Sequence, residues 1–229
     1  MSPRSALLGR RAVLLLALAA FGCAAPDRGH GHGGAANRDQ HGPTDVETYV
    51  ARLAAEARVR DLDVPTVLEK LALAPDAVVA DIGCGPGVFS LPFARAVPRG
   101  MVFAVDVEPR QLDAVRESLL REGVENVVPV LASPQTPHLP PASCDLLFVA
   151  DTYHHFEDRV AYMTRLAKTL RPGGRLAILE YKPGPLPVGP PPEHKLAAGE
   201  MERELTAAGW KHAQSFETHA HHTFDVWTR

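Results

Sequence analysis

Only three cysteines occur in the 229 residues, at positions 23, 84 and 144, and their spacing forms neither an even disulfide set nor a metal-ligand pattern. No disulfide framework organises this chain. Positive charge is scarce as well, with 24 Lys and Arg against 27 Asp and Glu for a net charge of −3. Arg4, Arg10 and Arg11 are the only charged residues before Cys23, so the rest carries 21 basic against 27 acidic groups, or −6. A nucleic-acid partner is excluded on that balance. The apolar run from Ala12 to Gly22 has eleven residues and is too short to span a bilayer. A content of 45% hydrophobic and 22% charged residues is that of a globular chain able to bury one ordinary core.

The densest signal is Val78-Val79-Ala80-Asp81-Ile82-Gly83-Cys84-Gly85-Pro86-Gly87-Val88-Phe89. An apolar run breaking into three glycines, followed by residues able to line a helix face, predicts strand, glycine turn and helix. Glycines at 83, 85 and 87 permit unusual dihedrals and close approach of a ligand, with free N–H groups at the helix start. A dinucleotide fingerprint counted from Gly83 requires a small residue at 88, where Val88 stands, so a pyrophosphate is disfavoured. Asp81 beside the turn attracts an ammonium or a sulfonium. A second strand, Met101 to Val105, ends at Asp106, nineteen residues beyond Gly87, where a carboxylate accepts hydrogen bonds from ribose hydroxyls.

Asp81-x-Gly83-x-Gly85-x-Gly87, then Asp106, then Leu170-Arg171-Pro172-Gly173-Gly174 before another apolar strand, resembles the class I S-adenosylmethionine-dependent methyltransferases. The resemblance covers residues 44–229. It implies a single α/β domain, a doubly wound, mostly parallel seven-stranded sheet of Rossmann-like methyltransferase type whose final strand runs antiparallel. It also implies S-adenosylmethionine as cofactor. Asp81 is then expected near the methionine amine, Gly83, Cys84, Gly85 and Gly87 against the ligand, and Asp106 on the ribose. Ser133 stands where many relatives carry an adenine-binding aspartate, and a neutral hydroxyl bonds more weakly.

Asp151-Thr152-Tyr153-His154-His155-Phe156 follows the fourth strand, where donor and acceptor meet in this family. Methyl transfer is an in-line displacement helped mainly by alignment, and a base matters only for an acceptor that arrives protonated. His155 is the first candidate for that base and His154 the second. Asp151 is assigned to the cofactor site, although it can simply close its strand.

The remaining segments follow the same alternation. A helix from Thr44 or Asp45 to Ala57 and a second from Val64 to Leu73 precede the first strand. The resemblance implies that such helices lie over the cofactor cleft, which makes Tyr49 and Arg58 candidates for ligand contact, with core packing for Tyr49 and surface exposure for Arg58 the favoured readings. A helix from Pro109 to Arg121 turns Leu112, Val115, Leu119 and Leu120 inward; Asn126 to Leu131, Cys144 to Ala150 and Arg175 to Tyr181 are strands three, four and five. Pro172-Gly173-Gly174 reads as a tight turn before strand five, and the proline-rich Lys182 to Glu193 as a stiff loop acting as a lid. After a helix from Ala197 to Ala208, Lys211 to His219 and His221 to Trp227 form an antiparallel pair. His219 and His221 share a face there without a complete metal shell.

Residues 1–22 read as a signal peptide with a basic start, and Ala20-Phe21-Gly22-Cys23 resembles a bacterial lipobox with Cys23 as the lipidated residue. Residues 23–43 then form the lipidated cysteine and a Gly- and His-rich tether of about 25 Å. His30, His32 and His41 belong to that solvated linker, and no metal is assigned to them. Residues 44–229 are the methyltransferase domain. The expectation is an exported, lipid-anchored envelope protein, at the outer rather than the inner membrane, since Ala24 is not aspartate. Its acceptor is a small or lipid-like molecule, and no protein partner is expected. The alternative from another class is an exported, non-catalytic ligand- or metal-binding protein that retains the fold.

Overall fold

The computed structural model describes residues 46–229. The leader, Cys23, the tether histidines and the capping positions Thr44 and Asp45 lie outside the described residues, as does the side chain of Tyr49. Three short helices come first: α1 (Val46–Leu53), α2 (Glu56–Asp61) and α3 (Val64–Leu71). The single helix expected to reach Ala57 is broken, because Ala55 is extended at φ −60°, ψ 134°. That break turns α2 into a separate element with no buried residue of its own.

Strands and helices then alternate: β1 (Val78–Ile82), α4 (Ser90–Ala96), β2 (Met101–Asp106), α5 (Pro109–Glu122), β3 (Val127–Leu131) and β4 (Cys144–Ala150). They continue through α6 (Arg159–Leu166), β5 (Leu170–Tyr181), α7 (Glu200–Ala207), β6 (Lys211–Ser215) and β7 (His222–Thr228). The seven strands form one sheet in the order β3-β2-β1-β4-β5-β7-β6. The pairings from β3 across to β5 are parallel, and β7 is antiparallel to both β5 and β6. The expected sheet, including the antiparallel final strand, is therefore present.

Both faces of the sheet are covered, which is why its central strands read as near-continuous apolar runs. Val79, Val102, Phe148 and Leu179 pack on one side with Val67, Leu71, Phe93, Leu112 and Val115. Ala80, Ile82, Leu147 and Ile178 pack on the other with Tyr162, Met163, Leu166 and Leu205. Successive strand residues thus alternate between two cores. Leu120, expected inward, is 85% exposed. It lies about 100° around α5 from buried Leu119, off the stripe defined by Leu112, Val115 and Leu119.

Two further local readings change. Pro172-Gly173-Gly174 lies inside β5, which begins at Leu170, and the ladder to β4 is irregular between Cys144 and Leu146. Gly173 at φ +81° lets the strand absorb this without ending. β6 stops at Ser215, so residues 216–221 leave the sheet and bring His219 and His221 back over the start of the domain.

Candidate active site

Strand order reverses direction between β1 and β4, and at such a switch point the connections leave to opposite faces and open a crevice at the carboxyl ends. A cavity of about 320 Å³ lies there. It is lined by the glycine turn after β1, by Asp106 and Glu108 after β2, by Ser133 after β3, and by Asp151, Thr152 and His155 after β4. Leu53, Arg58 and Leu62 from the leading helical segment line it as well.

The turn is tightly determined. Gly83, Gly85 and Gly87 have φ of +71°, +53° and +90°. At Gly83 an added Cβ would stand 2.2 Å from Cγ2 of Thr152, so this position excludes side chains by both dihedral and contact. The N–H groups expected to be free for a ligand are mostly in use. Gly83 and Cys84 donate to the carbonyl of Val105 at 2.7 and 3.0 Å, Gly85 to Asp106 Oδ2 at 2.9 Å, and Gly87 to the carbonyl of Cys84 at 3.1 Å. The turn is therefore a close-fitting wall more than an anion nest.

Asp81 is 2% exposed and accepts a hydrogen bond from Ser90 Oγ at 2.6 Å. Burial pushes its carboxyl up to about 7; the Ser90 hydroxyl opposes the rise and the charge of Asp106 adds to it. A cation placed beside it would restore its ionisation. Asp106 accepts from Gly85 N through Oδ2 and from Glu108 N through Oδ1, both at 2.9 Å. Burial raises its carboxyl, and the N–H donors of Glu108 and Gly85 limit the rise. Each oxygen keeps lone-pair capacity for a further donor. Burial also raises the Cys84 thiol well above its ordinary value, which leaves it unreactive.

Asp81 supplies a testable trade-off. Between about pH 4 and 7 the folded state binds its proton more tightly than the unfolded chain, so stability falls as pH rises through that window. Asp81→Asn is expected to stabilise the ligand-free protein at pH 8 by on the order of 2–4 kcal/mol, with little change at pH 4, while lowering cofactor affinity. Urea unfolding at the two pH values measures this; an Asn variant less stable at pH 8 contradicts it.

The two adjacent histidines separate. His155 lines the cavity, and its backbone N–H donates to the carbonyl of Thr152 at 3.0 Å. His154 points away, with Nδ1 2.9 Å from Glu180 Oε1 and its N–H donating to Glu180 Oε2 at 3.3 Å. Burial alone would lower the imidazole's pKa, but Glu180 and Asp151 outweigh that and raise it. His154, the second candidate base, does not line the cavity, and its ring is held by the buried carboxylate of Glu180.

Asp151 closes β4 at φ +48°, the left-handed region that few non-glycine residues adopt. Its Oδ2 takes Arg58 Nη2 at 2.9 Å, and His222 Nε2 stands 3.0 Å from Oδ1. Burial would raise its pKa, but His222, Arg58 and His154 together hold it below the usual carboxylate value. Arg58, expected at the surface, is instead 21% exposed and paired across 93 residues. No local period in the sequence signals such a partner.

Gln111 also escaped the sequence reading. It is 2% exposed, lines the cavity, and its Oε1 has no hydrogen-bond partner. The signal was present, since Gln111, Val115 and Leu119 fall four apart, placing an amide on the apolar stripe of α5. Ser133 lines the cavity on a loop held by paired backbone hydrogen bonds with Thr136 at 3.0 and 3.2 Å. The proline loop, expected to act as a lid, does not reach the cavity in this structure. Pro183 lines a separate groove with Leu196 and Trp227, and none of residues 182–193 lines the cavity. His219 faces the carbonyl of Leu62 at 3.1 Å, and His221 faces Asp61 at 2.6 Å. The ring beside His219 is that of His222, at 6.1 Å, rather than His221.

Residues 79–174 match the family model described as methyltransferase domain. Curated relatives include aklanonic acid methyltransferase DauC of Streptomyces sp. (strain C5), 31% identical over 116 residues, covering 49% of this chain and 53% of that protein. Another is the ubiquinone/menaquinone biosynthesis C-methyltransferase UbiE of Hahella chejuensis, 31% identical over 116 residues, covering 50% and 47%. The chain spans about half the length of the curated relatives it matches. Among solved structures, a SAM-dependent methyltransferase from Aquifex aeolicus superposes with a TM-score of 0.74 at 26% identity, covering 79% of this chain and 96% of that one.

The fold, the switch-point cavity and the matched segment are similar to those of an enzyme of the class I S-adenosylmethionine-dependent methyltransferase type. Its cofactor is S-adenosylmethionine, and the residues present fit that group. Asp81 offers a buried carboxylate to an ammonium and Asp106 a carboxylate to hydroxyls, and the glycine turn, packed at Gly83 against Thr152, forms the wall beside them.

Proposed function

We propose that this chain transfers a methyl group from S-adenosylmethionine to a small-molecule or lipid-like acceptor. The observation that carries the reading is the cavity at the β1/β4 switch point, which joins the glycine turn, Asp81 and Asp106 in one wall. When bound, the cofactor supplies an electrophilic methyl on a sulfonium. The protein's part is to hold the amine end at Asp81 and the ribose at Asp106, and to exclude water with Leu53, Leu62, Phe156 and Tyr162. His155 stands at the cavity as the candidate base for an acceptor that arrives protonated. The name of the Streptomyces relative specifies a small organic acceptor, which supports the substrate size.

The test is transfer of label from methyl-labelled S-adenosylmethionine into an extract of candidate acceptors, alongside calorimetry with S-adenosylhomocysteine. Product binding with label transfer supports the reading. Folded protein that takes up neither compound, yet binds zinc or copper tightly, favours the non-catalytic alternative.

We also propose that the chain is exported and anchored through a lipidated Cys23, the domain being tethered by residues 24–43. The basic start, the short apolar run and the lipobox-like Ala20-Phe21-Gly22-Cys23 support it. Several acyl chains on one cysteine hold a protein at a membrane, whereas a single chain holds it marginally. Expression of the full chain in bacteria with labelled fatty acid is expected to label it, and Cys23→Ser to abolish the label. A full-length, unlabelled chain in the cytosol overturns the location and leaves the methyl-transfer reading intact.

A further inference from the structure

Asp81 and Asp106 stand at the ends of neighbouring strands, since β1 and β2 pair in parallel with Ile82 opposite Val105. A cofactor that meets Asp81 with its amine and Asp106 with its ribose lies across the strand ends, running from β1 towards β2. The next strand in that direction is β3. Leu131 of β3 stands opposite Asp106, and the N–H of Ala132 donates to the Asp106 carbonyl at 2.8 Å. The loop after β3 therefore begins one strand spacing, about 4.8 Å, beyond the ribose acid. Ala132, Ser133 and Pro134 carry the cavity lining to this end, which is where the purine joined to the ribose is brought.

Tyr162 lines the cavity from α6 and belongs to the same core cluster as Val105 and Ala132. Arg165, about one turn further along α6, donates from Nε to the Gln135 carbonyl at 2.6 Å and so fastens that helix to the β3 loop. The Tyr162 ring is held in place by Phe156, which stacks on it with centroids 4.2 Å apart. The residue is 4% exposed, yet its hydroxyl has no hydrogen-bond partner among the described residues. It is not sealed as the Gln111 carbonyl is, so it opens onto the cavity. Burial first, and then the charge of Asp106, raise its pKa against the opposing Arg165, which keeps it a neutral group able to donate and to accept. A ligand cleft fixes orientation with a few such polar groups. We propose, on the strength of the S-adenosylmethionine assignment, that the Tyr162 hydroxyl is the hydrogen-bond partner of the cofactor's purine. It makes up for Ser133, which stands where the family resemblance leads to a carboxylate and bonds more weakly than one.

Tyr162→Phe tests this, because the hydroxyl bonds nothing in the ligand-free protein and its removal breaks no internal hydrogen bond. The urea midpoint of the variant is expected to match that of the unaltered chain. In calorimetry, S-adenosylhomocysteine should bind the variant about three- to tenfold more weakly, the span of one neutral hydrogen bond. The analogue carrying indole in place of adenine keeps the two-ring shape and has no polar atom on the base, so its affinity should be equal in the two proteins. Unchanged affinity for S-adenosylhomocysteine overturns the proposal. An equal loss for both ligands, or a fall in the urea midpoint alongside the affinity, marks a structural role and overturns it too. If the variant does not fold, carbon-13 at tyrosine Cζ of the unaltered chain reads the same bond. The Tyr162 resonance, assigned by replacing the other tyrosines, should then move further with S-adenosylhomocysteine than with the indole analogue, and equal movement overturns the proposal. Unaltered protein that takes up no S-adenosylhomocysteine overturns the methyl-transfer reading along with this one, whereas a variant that binds it as the unaltered chain does overturns this one alone.

Discussion

Gly83→Ala is expected to destabilise the protein by about 2–5 kcal/mol and to abolish measurable binding of S-adenosylhomocysteine. The backbone contribution comes from φ +71°, where an L side chain costs roughly 1–2 kcal/mol. The packing contribution comes from Thr152, whose Cγ2, Oγ1 and Cβ lie 2.2, 2.4 and 2.8 Å from the position of the new methyl. Forcing a methyl into filled space costs about 1–3 kcal/mol more. Thr152 cannot simply rotate away, because its Oγ1 donates to the carbonyl of Ala150 at 2.8 Å. Relief must come from movement of the turn or of the β4 end, and both line the cavity. Gly123→Ala is the control: φ is +63°, but nothing lies within 4 Å of the new atom, so only the backbone cost of about 1 kcal/mol is expected. Urea unfolding and calorimetry on the two variants distinguish these cases. Equal stability losses would show that the contact with Thr152 is not what fixes the turn.

Asp106→Ala is expected to weaken S-adenosylhomocysteine binding by at least about a hundredfold. Hydrogen bonds to a charged acceptor contribute roughly 1.5–3 kcal/mol each, and 1.4 kcal/mol is a factor of ten, so losing two to a ribose suffices. A second loss compounds it, since the same carboxylate accepts the N–H groups of Gly85 and Glu108 and so ties the glycine turn to the end of β2. Asp106→Asn should fall between the two, because one side of its amide can only donate. Calorimetry reads the affinity, and amide exchange at Gly85 reads the tie to the turn. Unchanged affinity in the alanine variant would remove Asp106 from the cofactor site.

The legible parts of this molecule were those written in contiguous residues. β4 runs from Cys144 to Ala150 as read, β2 closes on Asp106, and β1 ends at Ile82, one residue past Asp81, because a strand covered on both faces needs a near-continuous apolar run. The turn at Gly83 was visible for a similar reason: its requirement is local. Leu120 was misplaced by one residue of helical phase, although the period was there to be used.

Other features depend on partners distant in the chain. The break at Ala55 lets α2 carry Arg58 to Asp151 and Asp61 to His221, and residues 216–221 leave the sheet to meet it. Spacing cannot encode these pairs, since each is separated by at least 93 residues and each member reads alone as an ordinary surface charge. Nor could adjacency in sequence tell His154 from His155; that was settled by which ring lay beside the buried Glu180 once β5 had paired with β4. By itself, then, the sequence determined the strand-turn-helix unit, the acids at the strand ends and the alternation that builds the sheet, all set by short-range periodicity and backbone sterics. Only the tertiary structure decided which charges face the cavity and which neutralise one another, because electrostatic pairing acts on distance in space and folding sets that distance.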